Sequence, residues 1–280
     1  MKFLQAQLSE LDLERTVLMD ETAVYFEDPR RHTVNQAGAR HVVFKSTGFQ
    51  SMRITAILAV TAAGRKLAPT LIWQGKTSEL SMVNGCHVAH QPRAWVNQEL
   101  LIKWLDLAFP LLWVSQKKTI IWDSMRAHIG REVKAHCGKR QIGMCVIPGG
   151  LTPYLQAGDI GIYKSFKDKM GPLVDAWKRS DQVEYTRGGN PKPPSISVVT
   201  GWIRQAWQAV PQSVVDLSIA RAGFSTQLDE WHIARHDVYG EQFHKAWSQD
   251  AEPPADANMS EDDHEGILCD ALDDISLIEP

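Results

Sequence analysis

Two short apolar runs, each closed by an aspartate, constrain the fold of this chain more than any other feature. Thr16-Val17-Leu18-Met19-Asp20 and Thr119-Ile120-Ile121-Trp122-Asp123 share one pattern: bulky apolar residues with an acid in last place. Runs of this length and composition read as strands buried on both faces. A lone Asp at a strand end is ordinarily a turn or cap residue. Two of them in matching positions are harder to explain that way, because each puts a charge beside a core at substantial cost unless a cation or partner offsets it.

The segments between and after these runs predict an element order. Val42–Phe44 and Ile54–Val60 are strand-like, Ala63-Gly64-Arg65-Lys66 is a turn, and Pro69–Trp73 is a further strand, which makes a meander. Asn97 is placed to cap a helix over 98–112, the second Asp-terminated strand follows, and then come a helix over 131–139 and a strand over 144–148 closed by Gly149-Gly150. Helices are predicted over 1–15, over 160–179 with a kink at Gly171-Pro172, and over 198–209 and 213–222, the last two after a loop at 187–195. This predicts an α/β protein with a mixed five-stranded sheet flanked by helices, in the element order of an RNase H-like fold. In such a sheet the first strand lies beside the fourth, so right-handed crossovers bring Asp20 and Asp123 to one edge. Asp159, separated from Asp123 by thirty-five residues, opens the helix after the last strand and supplies a third carboxylate. The expected organisation is an N-terminal helix (1–15), a catalytic domain (16–185), a helical extension (186–249) and an acidic disordered tail (250–280).

Three carboxylates at one sheet edge point to hard divalent cations, which prefer oxygen ligands. Mg²⁺ (or Mn²⁺) needs only one or two carboxylates, with waters and substrate phosphate completing its shell. Three aspartates suffice for two ions, and paired ions activate a water or 3′-hydroxyl and stabilise the leaving oxygen of a phosphodiester. The expected chemistry is metal-dependent strand cleavage and joining.

The formal charge of -3 at first opposes a nucleic-acid partner, but the last Lys or Arg is Lys245. Eleven of the 33 acids lie at or beyond Asp250, leaving 22 acids against all 30 bases in residues 1–249, a charge of +8. The body suits a polyanion, and the tail, with Pro253-Pro254 and no sustained apolar period, reads as a solvated segment able to mask it. At 44% hydrophobic residues the chain is not wholly disordered. Its apolar stretch over 105–114 is broken by Asp106 and Pro110, too short for a membrane span. Residues 1–10 lack the pattern of a secretory leader, so an intracellular setting with reduced Cys86, Cys137, Cys145 and Cys269 is expected.

The local wording adds a resemblance. Met19-Asp20-Glu21-Thr22, Trp122-Asp123-Ser124-Met125-Arg126-Ala127-His128, Ile147-Pro148-Gly149-Gly150-Leu151-Thr152, and Leu155-Gln156-Ala157-Gly158-Asp159-Ile160 with Lys164-Ser165-Phe166-Lys167 resemble the blocks of the pogo/Tigger/jerky branch of the DDE superfamily of transposase-derived endonucleases. The resemblance covers roughly residues 15–225. It implies an RNase H-like fold, a metal-binding catalytic triad at Asp20, Asp123 and Asp159, DNA as partner together with a second copy of the chain, and a nuclear location. It also allows another function, that of a domesticated DNA- or chromatin-binding protein that has lost catalysis. Two departures stand out. Family members commonly have Gln-Pro-Leu-Asp where this chain has Gln156-Ala157-Gly158-Asp159, and the glycine is expected to loosen the turn that aims Asp159. They also usually carry helix-turn-helix domains ahead of these blocks, whereas this chain begins almost at the catalytic domain, so recognition of transposon ends is expected to be missing.

Other residues fall into place around this frame. His128 and Arg126 are candidates to assist near the metals or the scissile phosphate. Lys164 and Lys167, one helical turn apart, are candidate phosphate contacts. Cys86-His87 with His90 lacks a second ligand pair, which argues against zinc. Most tryptophans fall on predicted strands and helices and are expected in the core.

Overall fold

The computed structural model describes residues 11–27, 49, 53–76, 79–111 and 116–236. Val42–Phe44, the first ten residues and the tail over 250–280 lie outside these. Strands β1 (Thr16–Tyr25), β2 (Arg53–Thr61), β3 (Thr70–Gln74), β4 (Ser81–Val83), β5 (Cys86–Gln91), β6 (Thr119–Asp123) and β7 (Gly143–Ile147) form one mixed sheet in the order β4-β5-β3-β2-β1-β6-β7. Among the described residues the sheet therefore has seven strands rather than the expected five. The two additional strands are the β4–β5 hairpin, turned by Asn84-Gly85 with both residues at positive φ and added at the free edge of β3. Its short, polar strands carry little alternation, which is why periodicity did not mark them.

As expected, β1 lies beside β6 and parallel to it, and its other neighbour is β2, antiparallel. Helices α1 (Gln98–Ala108) and α2 (Arg131–Arg140) cover one face, packing on Val17, Met19, Ile57, Ile120 and Trp122. Asn97 does cap α1, its side chain accepting from the Leu100 amide at 2.9 Å. The other face is covered by α4 (Tyr163–Lys178) and by α5 (Ile196–Ala209) and α6 (Gln212–Ile219), which pack on Leu18, Leu58, Val60, Ile121 and Ile147. Between β7 and α4 lies a single helical turn, α3 (Thr152–Leu155). Central β2 is buried at every position from Ile54 to Thr61, as a strand covered on both faces must be.

Two local expectations differ. Residues 13–15 form a turn rather than a helix end, held by Asp12, whose carboxylate accepts from the Glu14 and Arg15 amides at 3.1 and 3.2 Å. Helix α4 runs on through Gly171-Pro172, both exposed, where solvent can take up the carbonyl that proline leaves without a donor. Of the tryptophans, Trp104, Trp122, Trp177, Trp207 and Trp231 are buried, whereas Trp95 is 63% exposed.

Candidate active site

The β1–β6 ladder pairs Thr16 with Thr119 and Leu18 with Ile121, and that register carried two residues further sets Asp20 beside Asp123. Both side chains therefore leave the sheet on the face of Leu18 and Ile121, toward α4. Asp159 reaches the same edge from a π-helical turn, Gly158–Ile162, that leads into α4. Single π turns of this kind are frequent at functional sites.

The three acids lie near enough to act on one another's ionisation. Burial pushes the Asp20 carboxyl up to about 8, and the charges of Glu21, Asp159 and Asp123 add to the rise against one opposing hydrogen bond from the Glu21 backbone. Asp159 is also raised, by burial and by Asp123, with Lys167 pulling it down. Asp123 behaves differently. Burial alone would raise it, but hydrogen bonds from His128 and the Met125 amide and the His128 charge outweigh burial and hold it below the usual carboxylate range.

His128 is the least accessible polar group of the site, fully buried and stacked on Trp122 with ring centroids 4.7 Å apart. Its Nδ1 lies 2.6 Å from Asp123 Oδ1 and its Nε2 lies 3.1 Å from Glu21 Oε1. Burial works against its charge, but the two carboxylates overcome that and push its pKa up to about 10. A protonated His128 thus donates from both ring nitrogens and fixes Asp123 from beneath. Glu21 was missed in the sequence because strand alternation sends it to the face opposite Asp20; the adjacent Asp-Glu pair was the available signal.

Tyr163 was also missed. It is buried, and burial followed by the surrounding acids raises its hydroxyl well above the usual range. Its ring lies against Gly158, where a Cβ would stand 2.2 Å from Cζ and 2.6 Å from the hydroxyl. On the other side, a Cβ on Gly161 would stand 2.8 Å from the Ser218 hydroxyl of α6. Glycine at 158 therefore does not loosen the turn of Asp159. It lets the Tyr163 ring close over it. Gly158→Ala should destabilise the fold by about 1–3 kcal/mol through overpacking, seen as a fall of several degrees in thermal midpoint, and Tyr163→Leu in the same chain should recover part of that loss.

The remaining candidates divide. Lys167 is exposed and close enough to lower Asp159, whereas Lys164 is turned to Asp168 at 3.3 Å. Arg126 is exposed, and among the described residues no hydrogen bond or ion pair ties it to the acids.

Among the described residues no three His, Cys, Asp or Glu side chains already stand in joint coordination geometry. The donor chemistry nonetheless fits a hard divalent cation, since the charged groups acting on Asp20 are all acids and Mg²⁺ requires only one or two carboxylates from the protein.

The sequence pattern of the family described as DDE superfamily endonuclease matches residues 51–218, more than half of the chain. The chain belongs to this family. Its pogo-like, transposase-derived character is carried by two relatives named Pogo transposable element with KRAB domain. The mouse protein is 27% identical over 226 residues and the human protein 28% identical over 219 residues. The alignments cover 79% and 75% of this chain but only 37% and 35% of those proteins, so the chain spans little more than a third of their length. The fold is that of the Mos1 transposase catalytic domain, seen in its structure with Raltegravir and Mg (TM-score 0.50, 15% identity, 86% of this chain and 92% of that one). The Mos1 mariner paired-end complex with Mn aligns at TM-score 0.50 with 14% identity, over 79% of this chain and 56% of that one. The family match contains Asp123 and Asp159, and the pairing of β1 with β6 joins Asp20 to them.

The cluster of acids carries a pH signature. Without divalent cation, folded Asp20 keeps its proton up to about pH 8, whereas in the unfolded chain it is lost near pH 4. Folding then holds about one extra proton between these values, so stability should fall by ~1.4 kcal/mol per pH unit through that window. His128 acts in the same direction, contributing stability that is complete below about pH 6.5 and lost as pH rises through about 10. Thermal midpoints in EDTA should therefore be lower at pH 8 than at pH 6, and Asp20→Asn should flatten the difference. A midpoint that rises over this range would contradict the assignment.

Proposed function

We propose that this chain is a DNA endonuclease and strand-transfer domain in which Asp20, Asp123 and Asp159 hold two divalent ions, Mg²⁺ or Mn²⁺. The observation that carries the reading is the convergence of three acids from β1, β6 and the π turn on one sheet edge, with Asp20 acted on only by like charges. When bound, the ions would supply activation of a water or 3′-hydroxyl and charge stabilisation at the phosphodiester. The protein's own groups prepare that site. His128, anchored by Glu21 and stacked on Trp122, keeps Asp123 ionised and in place. Tyr163 closes the turn of Asp159, and Lys167 is placed to meet phosphate near that acid. Activity on DNA puts the protein's work in the nucleus, and a second copy of the chain belongs to the same reading as a partner.

The test is nicking of supercoiled DNA. Wild-type protein should nick with Mg²⁺ or Mn²⁺ and not in EDTA, and Asp20→Ala or Asp159→Ala should remove the activity. DNA binding without nicking would favour instead a DNA- or chromatin-binding protein that has lost catalysis.

A further inference from the structure

A second cluster of polar side chains lies on the outer side of α3, the turn that leads into Asp159. The Tyr154 ring of α3 stacks with His232 at 6.2 Å and 30°, and meets His236 at 5.1 Å. The two imidazoles are 4.7 Å apart. Both come from the 3₁₀ turn His232–Arg235 and the residue after it, which packs against α3 and against the π turn Ala220–Phe224 that ends α6. That π turn contributes Arg221, and the 3₁₀ turn contributes Arg235.

The charge here is one-sided. Burial, then His236, Arg221 and Arg235 in that order, lowers the pKa of His232, and among the described residues no carboxylate acts on it. The acids on the adjoining turn Leu228–Glu230 do not compensate: Glu230 accepts from the Ser225 hydroxyl, and Asp229 is exposed. Among the described residues neither Arg221 nor Arg235 is in an ion pair. Arg235 and His236 are exposed, and Tyr154, His232 and Arg221 are partly so. His232 and His236 thus meet an aromatic ring that has solvent access, and two arginines that no ion pair among the described residues neutralises act on His232.

Tyr154 precedes Asp159 by five residues, so the two lie within about 17 Å even for a fully extended chain. At 3.4 Å of rise per nucleotide that is about five phosphates of one strand. Aromatic rings take unpaired bases by stacking without regard to sequence, and arginines take the phosphates beside them.

Building on the proposed endonuclease function, we propose that Tyr154, His232, His236, Arg221 and Arg235 form a binding site for an unpaired DNA end next to the scissile phosphate. Tyr154 stacks a base, and Arg221 and Arg235 hold the neighbouring phosphates. The site is separate from the carboxylates and distinguishes a frayed or overhanging strand from a closed duplex.

The test is binding of the full chain to a labelled duplex ending in a single-stranded overhang and to the same duplex with blunt ends, across a salt series. Arg221→Gln with Arg235→Gln should reduce the slope of log affinity against log salt by about 1.5, the value for two phosphate contacts. Tyr154→Leu should weaken the overhang complex at least about fivefold while leaving the blunt complex and the salt slope unchanged. Equal overhang and blunt affinities in wild type, or variants that bind as wild type does, would overturn this site and leave the endonuclease reading standing. A stronger affinity for an acidic peptide than for DNA at the same residues would also overturn it. A wild-type chain that binds no DNA would overturn both.

Discussion

Asp123→Ala is expected to lower Mg²⁺-dependent nicking of supercoiled DNA by about a thousandfold. A carboxylate that holds a catalytic ion contributes several kcal/mol to stabilising the charge of the transition state, and about 4 kcal/mol corresponds to three powers of ten in rate. Among the three acids, Asp123 gives the cleanest test because it is the one held as a carboxylate before any cation arrives, by His128 at 2.6 Å and the Met125 amide at 3.1 Å. Asp123→Asn keeps the volume and removes the charge, so a loss as large as that of alanine would assign the effect to charge rather than packing. Activity that survives either substitution would remove Asp123 from the catalytic set.

His128→Ala should be the most destabilising single change at the site. It removes a fully buried ring stacked on Trp122 and leaves Glu21 and Asp123 without the group between them. Breaking a buried charged pair by deleting one partner costs about 3–5 kcal/mol. The openness of Asp123, whose side chain is 28% exposed, places the expected loss toward the lower end. His128→Gln, which keeps a donor within reach, should fold better and still lower activity about 10- to 100-fold, as changes behind a metal ligand do. Its distinguishing sign is a higher Mg²⁺ requirement for nicking. An unchanged requirement would make His128 a packing residue only.

The acids were legible in the sequence because strand alternation and the parallel crossover rule act on any chain with this order of elements. An apolar run closed by Asp, repeated after a helix, is enough to bring Asp20 near Asp123, and the structure pairs the two runs in parallel, from Thr16 with Thr119 to Leu18 with Ile121. The β4–β5 hairpin was not legible, since three- and six-residue strands with mixed polarity give no periodic signal. Gly158 was read the wrong way from local sequence alone. A glycine in isolation means freedom, but here it marks a ring lying against the backbone, and that ring belongs to a residue one turn further on.

The sequence by itself determined the α/β class, the pairing of the two Asp-bearing strands, the three candidate acids and the split between a basic body and an acidic tail. Each of these follows from patterns a few residues long or from counting charge. Only the tertiary structure decided that Glu21 and Asp123 share one buried histidine, that Tyr163 seals the turn of Asp159, and that Tyr154, which precedes that turn, meets His232 and His236, with Arg221 and Arg235 acting on His232. Those contacts join residues up to 107 positions apart. They depend on which faces the packed helices turn toward one another, which no local period encodes.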